Sequence, residues 1–220
     1  ADKRAEEILY DELKKARPSY SFIMEESGKK DGDDADHLWI IDPLDGTHNF
    51  MHGIPHWAIS IALEVKGRME AALILDPVKN EVFRAERGMG AFMNNKRLRV
   101  SGRTDLENAI IAFGSTMDNE NYEYYAKEIN AINNIAPMLR RFGSAALDLS
   151  YIAAGRFDGY WERGLHAWDM AAGYLILKES GGFISSIDNR DNPVYSRNVV
   201  AGSSAIYEKI KKQLQSLSKE

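Results

Sequence analysis

Two aspartates, Asp42 and Asp45, stand three residues apart in the stretch IIDPLDGTHNF, which covers positions 40–50. An apolar run at 38–41 precedes them, and layered α/β proteins bind ligands at the carboxyl ends of such strands. Two carboxylates with a main-chain carbonyl between them are ligands that Mg²⁺ prefers. The same residue types also form ordinary turns, so the stretch alone leaves a metal site and a plain turn as alternatives.

Two more acidic positions could complete a metal site. Glu25 and Glu26 end an apolar run at 20–24, and Asp169 falls in the first turn of a helix that starts near His166. Each has a simpler interpretation, because acids also begin solvated loops and complement the dipole at a helix start. A metal site therefore requires a fold that brings these distant acids together.

The residues after Asp45 suggest an anion site. Gly46 lets the backbone approach a ligand closely, and Thr47 is expected to cap a short helical turn at 48–51. A helix start preceded by glycine offers backbone N–H groups to a phosphate. One stretch thus supplies carboxylates for a hard cation and amides for an anion.

Several other chemistries are excluded. The chain has no cysteine, which removes disulfides, thiolate zinc sites and cysteine nucleophiles. It has no Gly-x-Ser-x-Gly elbow and no Walker A motif, and haloacid-dehalogenase phosphatases space their two acids by two residues, not three. His52 and His56 have a spacing that suits zinc on a helix, but the Gly53 and Pro55 between them disfavour a regular helix.

Bulk properties fit one globular domain. The chain has 220 residues, 44% of them hydrophobic, and a net charge of −5, which disfavours direct nucleic-acid binding. No signal peptide and no apolar run of membrane-spanning length is present, so no membrane association is expected. The lack of cysteine fits a reducing compartment, and we expect a cytoplasmic location.

Hydrophobic patterns predict a layered α/β or α+β fold. The first helix is expected to bury Ala5, Ile8, Leu9, Leu13 and Ala16. A polar loop is expected at 27–36, an antiparallel meander over 57–100, and a turn at 88–90 that leads into a strand. The predicted helices are 2–17, 122–133, 144–154, 167–180 and 205–217. The predicted strands are 20–24, 38–41, 57–65, 69–75, 81–85, 97–100, 157–161, 183–187 and 199–201.

Three motifs resemble the Mg²⁺-dependent inositol monophosphatase family: EES at 25–27, WIIDPLDGTHNF at 39–50 and WDMAAGYLILKESGG at 168–182. The resemblance covers essentially the whole chain, and 140–169 is similar to bacterial members in particular. It implies an αβαβα sandwich, with one domain over 1–220 and subdomains of approximately 1–135 and 136–220. Family members begin some tens of residues earlier, with a helix and a catalytic-loop lysine that this sequence does not contain.

The resemblance also implies ligands for two or three Mg²⁺ ions. Glu25, Asp42 and the Leu44 carbonyl would hold one ion. Asp42, Asp45 and Asp169 would hold a second, and a third would lean on Glu25. The implied catalytic residues are Thr47, Asp2 and Glu25. Thr47, with help from Asp2, would orient the attacking water.

The implied substrate contacts surround the metals. Amides of Gly46 and Thr47 would bind the phosphate, while the Ala145 backbone and Glu162 would contact hydroxyls. Arg140 would lie at the rim. The full implied set is Leu44, Asp45, Gly46, Thr47, Arg140, Gly143, Ser144, Ala145, Glu162 and Asp169.

The implied activity is hydrolysis of inositol 1-phosphate to myo-inositol and phosphate. Two metals stabilise the attacking and leaving oxygens and lower the pKa of the attacking water. Alternatives are histidinol phosphate, fructose 1,6-bisphosphate or a nucleotide 3′-phosphate as substrate. Another is a protein-binding role in bacterial transcription and ribosomal RNA synthesis. The resemblance further implies a homodimer and inhibition by lithium.

Overall fold

The computed structural model describes residues 1–115, 122–190 and 192–217. The helices of this part are α1 (Asp2–Ala16), α2 (Thr47–Met51), α3 (Tyr122–Asn133), α4 (Ala145–Ala153), α5 (Ala167–Glu179) and α6 (Ser204–Leu217). The strands to Arg97 are β1 (Tyr20–Met24), β2 (Gly28–Lys30), β3 (Asp34–Asp45), β4 (Ala58–Val65), β5 (Arg68–Asp76), β6 (Glu81–Glu86), β7 (Gly90–Met93) and β8 (Lys96–Arg97). The later strands are β9 (Ile110–Ser115), β10 (Met138–Arg140), β11 (Gly159–Arg163), β12 (Phe183–Ser185) and β13 (Asn198–Gly202).

The strands form two sheets. The first has the order β2-β1-β3-β4-β5-β6-β7-β8, and the second β10-β9-β11-β13-β12. From β3 to β8 each strand is antiparallel to the next, which confirms the predicted meander. By contrast, β1 runs parallel to β3, and β9 runs parallel to both β10 and β11. These parallel pairs bring strand carboxyl ends together at the sheet edge.

Helices cover the sheets in alternating layers. The first sheet packs against α1 on one face and against α4 and α5 on the other, and α3 and α6 cover the far face of the second sheet. Adjacent residues of β3 show the layering, since side chains alternate between faces. Ile40 joins the central core with α4 and α5, and Ile41 joins the core beneath α1. The predicted α+β layered sandwich is confirmed.

Several predicted boundaries are wrong for identifiable reasons. The loop expected at 27–36 contains β2, a polar edge strand held by backbone pairing with β1. The strand expected at 97–100 ends at Arg97. The Leu98 amide still donates to Ala91 of β7, but the Val100 amide donates to the Ser180 carbonyl at the end of α5. Strands β9 and β10 were not predicted. Strand β9 is largely buried and lacks the polar alternation that identifies a strand in sequence, and β10 is a mostly exposed edge strand of only three residues.

The N-terminal helix also departs from its predicted pattern. Ile8, expected in the core, is 56% exposed. Glu6, which is not among the residues expected in the core, is buried. The helix is therefore rotated so that a carboxylate, and not only its apolar stripe, faces the protein.

No helix in the described ranges has both the length and the apolar character needed to cross a bilayer.

His52 and His56 do not form a shared site on one helix. Helix α2 ends at Met51, so the two residues lie beyond it, and His52 is exposed. The His56 ring is 8% exposed and packs against the rings of Phe142 and Tyr151. Burial, assisted by the charge of Lys79, lowers the pKa of His56 to about 4.

This histidine should make the fold sensitive to acid. Its folded-state pKa lies below its ordinary value of 6.5, so its contribution is complete above pH 6.5 and is lost as pH falls toward 4. We expect wild type to lose about 3 kcal/mol more unfolding free energy than His56→Phe between pH 7.5 and pH 4. Urea denaturation across this pH range measures the difference. His52→Gln, at an exposed position, should lose stability in parallel with wild type. An H56F profile parallel to wild type would contradict the assignment.

Candidate metal and substrate site

The parallel pairing of β1 with β3 places Glu25 beside Asp42. Met24 pairs with Ile41, and the next residue on each strand is an acid. The Glu25 amide donates to the Ile41 carbonyl at 3.3 Å, and the carboxyl groups of Glu25 and Asp42 share a hydrogen bond. Two of the predicted acidic positions therefore meet at one edge of the sheet.

A β-bulge places Asp42 and Asp45 together. Asp42 pairs with Ser60 and Asp45 with Ala58, so β3 has one more residue than β4 between these pairs. In a regular strand, residues three apart point to opposite faces. The extra residue reverses that relation and lets both carboxylates reach one site. The Leu44 amide donates to Asp42 Oδ1 at 2.9 Å and holds the bulge in shape.

The two central helices complete the cluster. Asp169 lies in the first turn of α5, where its Oδ2 accepts the His166 amide at 2.7 Å. Carboxylate oxygens of Asp42, Asp45 and Asp169 lie within 4.8 Å of one another. At the start of α4, the Ser144 hydroxyl donates to Asp45 Oδ2 at 2.5 Å and the Ala146 amide donates at 2.8 Å. The layered packing thus joins residues about a hundred positions apart.

The pKa values of these acids show that negative charge is unfavourable at this site. Burial, together with repulsion from Asp45, Glu25 and Asp169, holds the pKa of Asp42 well above its usual range. Burial raises the pKa of Asp45 to about 6, and burial plus the charge of Asp45 raises the pKa of Asp169 to about 8. Burial also raises the pKa of Glu25. The largest contributions to these shifts come from burial, from neighbouring acids and from hydrogen bonds.

This arrangement fits a bound cation. Buried carboxylates need protons or positive charge to offset their desolvation and mutual repulsion. The candidate metal-ligand atoms are all oxygen, which suits a hard divalent ion and not a thiophilic one. Asp42, Asp45 and Asp169 therefore form a cluster that could hold a metal ion.

The acids open into a cleft of about 1020 Å³. Its walls include most of the residues that the sequence singled out: Asp2, Glu25, Asp42, Leu44, Asp45, Gly46, Thr47, Gly143, Ala145, Glu162 and Asp169. Ser144 is buried and supports Asp45. Arg140 does not line the cleft. It is exposed on β10, where its Nη1 donates to the neighbouring Leu139 carbonyl, and Arg141 lines the cleft instead.

One wall is formed by the start of α2. Thr47 is the first helical residue and not the predicted cap, because Gly46 occupies the cap position with φ 95°. A side chain at Gly46 would meet the His56 and Gly143 carbonyl oxygens, at 3.1 and 3.3 Å from its Cβ. Thr47 Oγ1 lies 3.0 Å from the Leu44 carbonyl oxygen and 3.4 Å from Asp2 Oδ2.

The opposite wall holds Glu162 in a pocket that the sequence did not reveal. The Tyr160 hydroxyl donates to Glu162, and Gly114 pairs with Glu162 across β9 and β11. A Cβ at Gly114 would collide with the Glu162 carboxylate. Beneath them, Asp148 is buried in α4, and its Oδ1 has no hydrogen-bond partner among the described residues. A glycine inside an apolar strand was the available signal for close approach.

Burial raises the pKa of Glu162 to about 7, and the nearby charge of Arg141 offsets part of this rise. The cleft therefore contains a cluster of acids on one side and a hydrogen-bond acceptor on the other. Such a site can hold a cation against an anionic group and accept hydrogen bonds from the rest of the ligand.

The chain is similar in sequence to known proteins over nearly its whole length. Residues 1–219 match the model of the inositol monophosphatase family. An inositol-1-monophosphatase of Mesorhizobium japonicum is 49% identical over 207 residues, which are 94% of this chain and 78% of that protein. Nus factor SuhB of Escherichia coli is 46% identical over 203 residues, which are 92% of this chain and 76% of that protein.

The fold is also similar to that of solved structures. The crystal structure of extragenic suppressor protein suhB from Bartonella henselae matches with a TM-score of 0.92 and 46% identity, covering 98% of this chain and 87% of that one. The matching sequence and the matching fold lead to one conclusion: the chain belongs to the inositol monophosphatase family.

Proposed function

We propose that the protein is a Mg²⁺-dependent phosphomonoesterase that releases phosphate from inositol 1-phosphate. The observation that carries the proposal is the cluster of Asp42, Asp45 and Asp169, whose carboxylate oxygens lie within 4.8 Å of one another and whose charges repel. Family membership and the 49% sequence identity to an inositol-1-monophosphatase support this choice of substrate.

The proposed metal ligands are those that converge on the cleft. Asp42, Asp45 and Asp169 would hold one ion, and Glu25 with Asp42 and the Leu44 carbonyl would hold another. Glu25 would also coordinate a third ion. Bound Mg²⁺ would lower the pKa of a coordinated water and stabilise negative charge on the phosphoryl oxygens.

Thr47 is proposed to orient the attacking water. Its hydroxyl has one proton, which the Leu44 carbonyl or the Asp2 carboxylate can accept at the observed separations. Donation in either direction leaves a lone pair of the hydroxyl oxygen to accept a hydrogen bond from water. Asp2 and Leu44 thus fix the direction in which Thr47 acts.

The remaining contacts would bind the substrate. We assign the phosphate to the amides of Gly46 and Thr47, and hydroxyl groups to Glu162 and the Ala145 backbone. Gly143 and Ser144 shape this wall, and Ser144 does so by bonding Asp45. The position of Arg140 gives its rim role no support, and the cleft-lining Arg141 takes that role in the proposal.

The metal assignment is tested by Asp45→Asn. The variant should lose at least about 100-fold in Mg²⁺-dependent phosphate release, because about 3 kcal/mol of transition-state stabilisation depends on the bound ion. Added Mg²⁺ should raise its melting temperature less than that of wild type, because one of the proposed ions loses a ligand. The folded-state pKa of Asp45, about 6, lies above its ordinary value, so ionisation destabilises the metal-free fold as pH rises. Without metal at pH 8, D45N should therefore be at least as stable as wild type.

A matched control comes from a different buried aspartate. Asp76 forms an ion pair with Lys79 and accepts two turn amides, so Asp76→Asn should lower the melting temperature with and without Mg²⁺. Unchanged turnover in D45N would rule out the metal assignment.

The role of Glu162 is tested through its neighbour. Gly114→Ala should fold normally, because the atoms its Cβ would meet are the flexible end of Glu162. It should displace that carboxylate and raise the KM for inositol 1-phosphate about 10-fold or more, as Glu162→Gln should, since a hydrogen bond to a charged group is lost. Activity on 4-nitrophenyl phosphate, which has no such hydroxyls, should change by less than about threefold.

Gly102→Ala is the control, because nothing lies within 4 Å of a Cβ at that exposed position. Equal losses on both substrates in G114A would contradict a hydroxyl-binding role for Glu162.

A second candidate function is contact with the bacterial transcription machinery. The 46% identity to Nus factor SuhB of Escherichia coli favours it. Wild type and D45N should be expressed in Escherichia coli deprived of that factor, with ribosomal RNA synthesis as the readout. Rescue by both proteins would establish a role independent of catalysis, while rescue by wild type alone would tie the role to the acidic site. Failure of both would count against this function.

The oligomeric state, the inhibition by lithium and the cellular location are also part of the proposal. A homodimer and inhibition by lithium are expected from family membership. A cytoplasmic location is supported by the absence of cysteine, which fits a reducing compartment.

A further inference from the structure

Helix α1 presents a carboxylate where an amphipathic helix normally presents an apolar side chain. Of its fifteen residues, all within the described range, only Glu6 is buried, with 5% of its surface exposed. Leu9 and Leu13, on the apolar stripe, are only partly buried against the core beneath the helix. Burying an ionisable group is costly unless its hydrogen bonds are satisfied, so the position of Glu6 calls for a reason.

The reason lies in the turn that follows β1. Glu6 Oε2 accepts the Glu26 amide at 2.8 Å, and Oε1 accepts the Ser27 hydroxyl at 2.6 Å. Both carboxylate oxygens therefore bond to consecutive residues of one turn. A charged acceptor with two donors at these distances makes strong, directional contacts.

This turn begins with Glu25, one of the proposed Mg²⁺ ligands. The Glu25 amide bonds to Ile41 at the end of β3, which fixes the residue on one side. Glu6 fixes the next two residues on the other side. Much of residue Glu25 is exposed, so apart from its hydrogen bond to Asp42 its direction depends on the backbone of this turn.

The same helix also carries Asp2, one turn before Glu6. Residues four apart lie on the same face of a helix, and Asp2 Oδ2 lies 3.4 Å from Thr47 Oγ1. One face of α1 therefore contacts two separate parts of the cleft, the Thr47 hydroxyl through Asp2 and the Glu25 turn through Glu6.

We propose that Glu6 is a positioning residue that fixes the turn of Glu25 and thereby sets the affinity of the site for Mg²⁺. The inference rests on the proposed function because it takes Glu25 as a metal ligand. Glu6 itself touches neither metal nor substrate. Its loss should weaken Mg²⁺ binding while leaving turnover at saturating Mg²⁺ nearly unchanged.

Calorimetric titration with Mg²⁺ tests this inference without depending on activity. Glu6→Ala should raise the Mg²⁺ dissociation constant about 10- to 100-fold, the usual effect of removing a group that orients a metal ligand. Glu6→Gln, which keeps one acceptor, should fall between E6A and wild type. Glu7→Ala, an exposed neighbour on the same helix, should match wild type. The Mg²⁺ concentration for half-maximal activity should shift in parallel with the dissociation constant, while kcat changes by less than about threefold.

A second variant covers a failure of E6A to fold. Ser27→Ala removes one of the two contacts and no charge, and should raise the dissociation constant by a smaller factor. A folded E6A, or S27A where E6A does not fold, with wild-type Mg²⁺ affinity would overturn the inference. Wild type that binds Mg²⁺ more tightly than E6A but hydrolyses no inositol phosphate would overturn the proposed function and support the inference. Wild type that binds no Mg²⁺ would overturn both.

Discussion

The structure depends on one costly arrangement: carboxylates held close together at the edge of a buried layer. Asp42, Asp45 and Asp169 repel one another and lose hydration, and each carboxyl resists ionisation for that reason. The surrounding fold supplies hydrogen-bond donors that point at single oxygens, from Ser144 to Asp45 and from His166 to Asp169. These donors fix geometry without cancelling the charge, so the site keeps its affinity for a cation.

Two irregular features make the arrangement possible. The bulge between Asp42 and Asp45 brings together side chains that a regular strand would separate. The parallel pair of β1 and β3 adds Glu25 to the same edge, although the rest of that sheet is antiparallel. A proline between the two aspartates suits the bulge, since proline cannot donate to a ladder hydrogen bond. Local departures from regular structure thus create the cleft, and the regular meander supports it.

Much of this could be predicted from the sequence, and the failures have physical causes. The spacing of Asp42 and Asp45 after an apolar run made a metal site one of two alternatives, and the family resemblance then implied its ligands. The bulge was not predictable, because pairing register depends on β4. Strand β9 was missed because it is buried, and Gly114 within it gains meaning only beside Glu162. Glu6 was not singled out, because helical periodicity alone cannot identify the partners of a buried carboxylate. A division of the chain near residue 135 stays a prediction.

The position of α4 and α5 between the two sheets has a consequence for folding. Asp45 meets Ala146 across 101 residues of chain, so the cluster forms only after the first sheet has docked on the central helices. Contacts of such sequence separation form late, because loop closure opposes them. A cation that binds the finished cluster then favours the docked state by mass action, and its free concentration tunes the apparent stability of the whole sandwich. Ion binding to the cluster therefore indicates that the strands have docked on the central helices.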